Sequence, residues 1–147
     1  MNGENLLLNG EKMLEIKSEK VLLNGVIKDY FNFLCDLNKY KLLFPQDKIN
    51  NWNSGFDFCS FKVQNVYTLE MIKVSADNNV INLKSGDSSP FNFTIKIILS
   101  IVEDHKCSAQ IFCEANLSAA LKMMVGKPLN ELFDFMAKQI EKSTTAE

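Results

Sequence analysis

Two neighbouring stretches of the sequence alternate between apolar and polar residues. In residues 91–102 every odd position is apolar, while Asn92, Thr94, Lys96 and Ser100 interrupt the even positions. In the next stretch the odd positions are apolar and mostly small: Cys107, Ala109, Ile111, Cys113, Ala115 and Leu117. Successive side chains of a strand point to opposite faces, so the pattern predicts two long strands with one apolar face. The small inward residues of the second strand leave space above the sheet.

The hydrophobic period changes from two to 3.6 after Leu117. One helical stripe collects the apolar residues that follow, namely Leu121, Met124, Val125, Pro128, Leu129, Leu132, Phe133, Met136 and Ile140. This spacing predicts a long amphipathic helix that closes the chain. Gly126 and Pro128 lie inside it, and proline removes a backbone donor, so we expect a kink or a short break there.

The first part of the chain predicts a strand and two short helices. Apolar and charged residues alternate from residue 13 to residue 22, which is typical of a half-buried strand. Asn24 is placed to cap a first helix, and Asn38 to start a second one that Pro45 ends. Residues 49–117 then contain short runs rich in Val, Ile, Phe and Thr between turn clusters, which indicates a meander of antiparallel strands.

These elements together predict an α+β fold with a curved antiparallel sheet of about seven strands. Such a sheet has one apolar face to cover, and the C-terminal helix is the only long amphipathic element available. A helix about 10 Å wide cannot fill the concavity of a strongly twisted sheet. We therefore expect the sheet to wrap around the helix and to leave a cavity between them.

Composition and charge narrow the range of possible partners and sites. The 147 residues carry a formal net charge of −2 without a basic cluster, so we expect one domain over residues 1–147 and no nucleic-acid partner. All 16 basic residues are lysines, His105 is the single histidine, and the four cysteines form no C-x-x-C pair. We therefore expect no metal, no cofactor and reduced thiols.

Targeting signals are also missing from the sequence. No apolar run approaches the length of about 20 residues that spans a bilayer, and the opening residues lack a basic region followed by an apolar one. We expect a cytoplasmic protein without an integral membrane segment. Residues 1–10 are predicted to be a loosely attached lead-in, and residues 13–142 to form the domain core.

Three segments carry a resemblance to a known superfamily. They are KVLLNGVIKDYFNFLCDLNKYKLLFP with its Phe-Leu-x-Asp-Leu-x-x-Tyr run, SSPFNFTIKI, and the closing LKMMVGKPLNELFDFMAKQIEK. Together they resemble the START-related lipid-transfer and polyketide cyclase superfamily, also called SRPBCC, and most of all its small stand-alone bacterial members. The resemblance covers roughly residues 13–142 and implies the helix-grip fold with a hydrophobic cavity under the C-terminal helix. This scaffold hosts carriers, enzymes and receptors, and it has no universal catalytic motif.

The predicted function is binding or transport of a small hydrophobic molecule, such as a lipid, an isoprenoid or a polyketide-like ring. We expect the cavity to be lined by Trp52, Phe61, Met71, Phe91, Phe93, Ile95, Ile111, Cys113, Ala115, Leu121, Met124, Leu129, Phe133 and Met136. Met123, Met124 and Met136 would form a pliable roof, because methionine adapts to irregular apolar shapes. Ordinary core packing explains the same residues, since pockets and cores use the same residue types.

Two other functions stay open. A polyketide cyclase or aromatase would use polar groups that face the cavity, and the candidates are Ser18, Tyr30, Tyr67 and Lys73. None of them has an obvious acid–base partner in the sequence, so no catalytic residue is predicted. A protein-interaction module would expose apolar residues off the main apolar faces, where Phe112 and Phe135 lie.

Overall fold

A computed structural model describes residues 11–143 of the chain, so the predicted lead-in lies outside the described residues. In chain order the elements are β1 (Glu11–Lys17), β2 (Val21–Asn24), α1 (Ile27–Cys35), a 3₁₀ helix (Leu37–Leu43), β3 (Ile49–Ser54), β4 (Phe58–Val63), β5 (Tyr67–Asp77), β6 (Val80–Ser85), β7 (Asn92–Glu103), β8 (Lys106–Ser118) and α2 (Ala119–Ser143). None of these helices is both long enough and apolar enough to cross a membrane.

The strands form one antiparallel sheet in the order β1-β8-β7-β6-β5-β4-β3. The second strand, β2, also pairs with β8, on the side that β1 occupies. The sheet therefore has eight strands, where about seven were expected. The α+β class, the six-stranded meander and the long C-terminal helix are confirmed.

The extra strand arises because the predicted first strand is interrupted at Ser18. The Ser18 N–H donates to the carbonyl of Ile111 at 2.9 Å, and the Ile111 N–H donates to the Ser18 hydroxyl oxygen at 2.9 Å. The Gln110 side-chain amide donates to the Ser18 carbonyl at 2.9 Å. A side-chain oxygen thus takes the place of a backbone acceptor, and the chain bends between β1 and β2 without leaving β8.

The two short helices have different starts from those predicted. Val26 occupies the N-cap of α1 with no side-chain hydrogen bond, so the predicted cap by Asn24 is wrong. The Asn24 carbonyl instead accepts from the buried Tyr30 hydroxyl at 3.3 Å. The second helix is a 3₁₀ helix whose cap is Asp36, which accepts from the Asn38 N–H at 3.0 Å. It ends before Pro45, as predicted.

The inner face of the sheet carries the core. Along β8 every odd residue from Cys107 to Leu117 is buried, and along β7 the same holds from Phe93 to Leu99. Ile101 breaks the pattern and is 71% exposed, next to a register shift before Glu103. Burial of the odd residues therefore continues on β8 as far as the hairpin, whereas on β7 it ends at Leu99.

Three helices, not one, cover the inner face. The C-terminal helix α2 packs on β8, β1, β2 and the 3₁₀ helix, while α1 contacts β6 and β7 and the 3₁₀ helix contacts β3 and β4. The fully buried Tyr30, Leu34, Leu37, Tyr40 and Leu43 come from the two short helices. These side chains occupy part of the concavity that a single helix would have left open.

The helix α2 continues through Pro128, so of the predicted kink or short break the break is wrong. Proline at position 128 cannot bond the carbonyl of residue 124, one turn earlier. Met124 is 62% exposed, so this carbonyl lies on the water-facing side of the helix. Leu121 is partly buried against the core, and from Val125 onward buried residues hold the remaining turns against the sheet.

We predict that Ser18→Ala destabilises the protein, because the buried Ile111 N–H loses its acceptor. The free energy of unfolding should fall by about 1–3 kcal/mol, measured by urea denaturation. Ser100→Ala, at an exposed position of β7, serves as the control and should change stability by no more than about 0.5 kcal/mol. Equal effects of the two substitutions would show that Ser18 does not hold the junction.

Candidate ligand site between the sheet and the closing helix

An aromatic cluster fills the inner face at the β3 edge of the sheet. The Phe44 ring lies 4.6 Å from the Phe61 ring and 6.4 Å from the Trp52 ring, centroid to centroid. Trp52 stacks on Phe61 at 5.5 Å, and its indole N–H donates to the Ser54 hydroxyl at 2.9 Å. Offset aromatic contacts at these distances stabilise packing beyond the area they bury.

A second aromatic group lies at the end of the sheet where α2 begins. The Phe91 ring is 5.8 Å from Phe93 and 6.4 Å from Tyr67. Phe91 and Leu121 also line a pocket of about 230 Å³, together with Ser89, Pro90, Asn92, Asn116 and Ser118. The apolar interior therefore reaches the surface between the β6–β7 loop and the first turns of α2.

The structure brings most of the predicted cavity residues together on the inner face. Phe61, Met71, Phe91, Phe93, Ile95, Ile111, Cys113, Ala115, Leu129, Phe133 and Met136 are buried, and Trp52 and Leu121 are partly buried against the same core. Met124 lies apart from them, 62% exposed beside Met123, which is 87% exposed. Both precede the first packed turn of α2, so only Met136 of the proposed roof lies over the interior.

A larger pocket lies on the other face of the sheet, where the sequence predicted none. It is a trough of about 690 Å³ across β5–β8, lined by Val74, Lys84, Lys96, Ile98, Phe112 and Glu114 among others. These are outward positions of the same strands. Phe112, an apolar residue among outward polar ones, was the sequence signal for it. Phe135, the other such residue, lines a separate pocket of about 430 Å³ between α2 and β4.

Three of the four inward polar candidates already have polar partners within the protein. Ser18 completes the β1–β2 junction, and the Tyr30 hydroxyl donates to Asn24. The Lys73 ammonium donates to the Cys35 carbonyl at 2.6 Å, pairs with Asp57 at 2.9 Å and lies 3.7 Å from the centre of the Phe56 ring. Lys73 thus joins the C-terminal end of α1 to the β3–β4 hairpin.

Tyr67 differs from these three. Its hydroxyl oxygen is buried and has no hydrogen-bond partner among the described residues. Burial raises the pKa of Tyr67 to about 12, so the hydroxyl stays protonated at neutral pH and can donate. The other buried side-chain oxygen without a partner in this part of the chain, Oδ1 of Asn116, belongs to an outward position of β8.

The thiols and the histidine form no reactive centre in the described part of the chain. Burial raises the pKa of both Cys59 and Cys113 to about 12, which keeps these thiols neutral and poorly nucleophilic. His105 lies in the β7–β8 turn with a left-handed φ of 59°, and its carbonyl accepts from the Gly25 N–H at 2.8 Å. Residues 11–143 contain no group of three or more acidic, histidine or cysteine side chains that could hold a metal ion.

The fold is similar to several solved structures. Norcoclaurine synthase from Thalictrum flavum matches with a TM-score of 0.69 at 11% identity, over 94% of this chain and 90% of that chain. A START superfamily protein from Mycobacterium smegmatis gives a TM-score of 0.65 at 10% identity, over 92% and 99% of the two chains. The chain has the START-like helix-grip fold.

A bacterial relative of this fold has a somewhat higher sequence identity. A conserved protein from Geobacillus kaustophilus matches the START-like fold of this chain with a TM-score of 0.68 at 17% identity, over 90% of this chain and 96% of that one. No protein-family model matches the sequence, and no curated protein matches it either. The similarity therefore lies in the backbone arrangement that the sequence pattern predicted.

The contacts of Lys73 predict a structural role that can be measured. Lys73→Met removes the donor from the Cys35 carbonyl and should lower the free energy of unfolding by about 1–3 kcal/mol. Asp57→Asn removes only the partner whose side chain is 67% exposed, and should cost less than about 1 kcal/mol. Urea denaturation of both variants compares the two values. A larger loss in Asp57→Asn would contradict this assignment.

Proposed function

We propose that the protein binds a small apolar molecule, such as a lipid, an isoprenoid or a polyketide-like ring, between the inner face of the sheet and α2. The observation that carries the proposal is the continuity of the apolar interior with the pocket at Phe91 and Leu121. A ligand that passes this pocket, whose other lining residues include Asn92, Asn116 and Ser118, would reach Tyr67, Leu69 and Met71, the inward residues of β5. An apolar interior with few polar groups is typical of sites for small hydrophobic ligands.

Access to the interior would use the least packed part of α2. None of the first six residues of this helix, Ala119–Met124, is buried, whereas Val125 and the turns after it are. Segments with few buried apolar contacts open at the lowest free-energy cost. We therefore infer that the first turns of α2 move away from the β6–β7 loop to admit the ligand, while the rest of the helix stays docked.

A comparison supports the size and chemistry of such a ligand. Norcoclaurine synthase, with the same fold, has been solved in complex with dopamine and hydroxybenzaldehyde. Both are small aromatic molecules. A protein with a START-like fold therefore forms complexes with compounds of that size.

A cyclase-type enzyme is the second candidate, and the unpartnered Tyr67 hydroxyl favours it. A neutral phenol in an apolar interior can donate a hydrogen bond to an oxygen on which charge develops during a reaction. Lys73, the other candidate on the same strand, is already bound to Asp57 and Cys35. In an enzyme, Tyr67→Phe or Lys73→Met would stop turnover without weakening ligand binding, and equal losses of turnover and binding would argue for binding alone.

The ligand site can be tested by filling it. Ala115 is fully buried on β8, paired with Phe93 and Leu14 in the sheet. Ala115→Trp should weaken binding of the neutral dye N-phenyl-1-naphthylamine by at least about tenfold, because the indole would take the space that the dye needs. Fluorescence titration measures the affinity, and a cooperative thermal transition shows that the fold survives.

Ser100→Trp provides the control, since this position is exposed on the outer face of β7 and lines neither the trough nor the pocket at Phe91. It should leave dye affinity unchanged. If Ala115→Trp prevents folding, Ala115→Val replaces it, with a smaller loss of affinity expected. Dye affinity that is equal in the wild type and a folded Ala115 variant would contradict binding at this site.

A further inference from the structure

We propose that the ligand carries a neutral hydrogen-bond acceptor, such as a hydroxyl, carbonyl or ether oxygen, that binds the Tyr67 hydroxyl. This inference rests on the proposed function and specifies its ligand class: a small amphipathic molecule with one polar group on an apolar body, not a pure hydrocarbon. Tyr67 would then determine specificity at the end of the interior where α2 begins.

The position of Tyr67 directs its side chain toward the interior. Tyr67 alternates along β5 with Leu69 and Met71, which are buried, so all three lie on the inner face. Its ring packs against Phe91, and Phe91 lines the pocket through which we expect the ligand to pass. A ligand held in the interior would therefore lie against Tyr67.

The hydroxyl of Tyr67 lacks the partner that comparable groups have. The Tyr40 hydroxyl, also buried, donates to the Leu34 carbonyl at 2.7 Å, and the Tyr30 hydroxyl donates to Asn24. A buried hydroxyl without a partner costs folding free energy, and that cost is recovered when a ligand atom accepts its hydrogen bond. The arrangement favours ligands that bring an acceptor to this point.

The charges around the interior favour a neutral polar group over a carboxylate. Lys73 is the cation on the inner face of the same strand, but Asp57 already neutralises it. Six residues of strand also separate it from Tyr67, a distance of about 20 Å. Lys73 is therefore not available to pair with a carboxylate bound at Tyr67, and unpaired buried charge is strongly disfavoured.

The test compares two alkylbenzenes of nearly equal shape, 4-butylphenol and 4-butyltoluene, as competitors of N-phenyl-1-naphthylamine. Tyr67→Phe should raise the Kd of 4-butylphenol about tenfold relative to that of 4-butyltoluene. The affinity for 4-butyltoluene should equal that of the wild type. The free Tyr67→Phe protein should melt at the same or a higher temperature, because the removed hydroxyl had no partner.

Tyr40→Phe is the control for a hydroxyl with a partner. It should lower the melting temperature and leave the ratio of Kd values unchanged. An unchanged ratio in Tyr67→Phe, with both compounds still bound, would overturn this inference and leave the proposed function standing. If neither compound nor the dye binds the wild type, the proposed function fails and this inference fails with it.

Discussion

The pairing of β8 with three other strands is the constraint on which the rest of the structure depends. Its one edge pairs with β7 and its other edge with β1 and β2, and its last residue leads directly into α2. The two N-terminal strands share that edge because Ser18 bridges the gap between them with its hydroxyl. The backbone of Glu19, just beyond, donates to Asp134 at 3.2 Å, which ties the same junction to α2.

This arrangement decides where a ligand could reach the interior. Because α2 starts at the end of β8, its first turns, which contain no fully buried residue, lie beside the β6–β7 loop and the pocket at Phe91. The far side of the inner face is closed by the short helices and by the aromatic cluster of Phe44, Trp52 and Phe61. One end of the interior is thus tightly packed, and the other is the part in which opening costs least.

The sequence predicts the fold well because its periodic signals are long. The alternation over β7 and over β8 and the helical stripe of α2 each span more than ten residues. Tertiary contacts rarely override the secondary structure that such long periodic patterns favour. The errors fall on single residues whose role depends on distant partners. Ser18 interrupts a strand only through its hydrogen bonds with Ile111, and Met124 is exposed although Leu121 and Val125 on either side of it pack against the core.

The candidate site was predicted less completely, for a related reason. Alternation placed Tyr67 and Lys73 on the inner face, but it could not distinguish a satisfied group from an unsatisfied one. Lys73 bonds to Asp57 and to the Cys35 carbonyl, which are far from it in sequence, whereas the Tyr67 hydroxyl has no hydrogen-bond partner among the described residues. Side-chain volume alone also does not tell a filled core from a cavity, since both use the same residues.

Native mass spectrometry of the protein, purified gently from its own host and followed by solvent extraction, tests the central claim most directly. We predict a stoichiometric adduct that the extraction identifies as a small apolar molecule with a neutral polar group. An empty protein that also binds no member of a panel of lipids and aromatic compounds would contradict the claim, and the interior would then be a packed core.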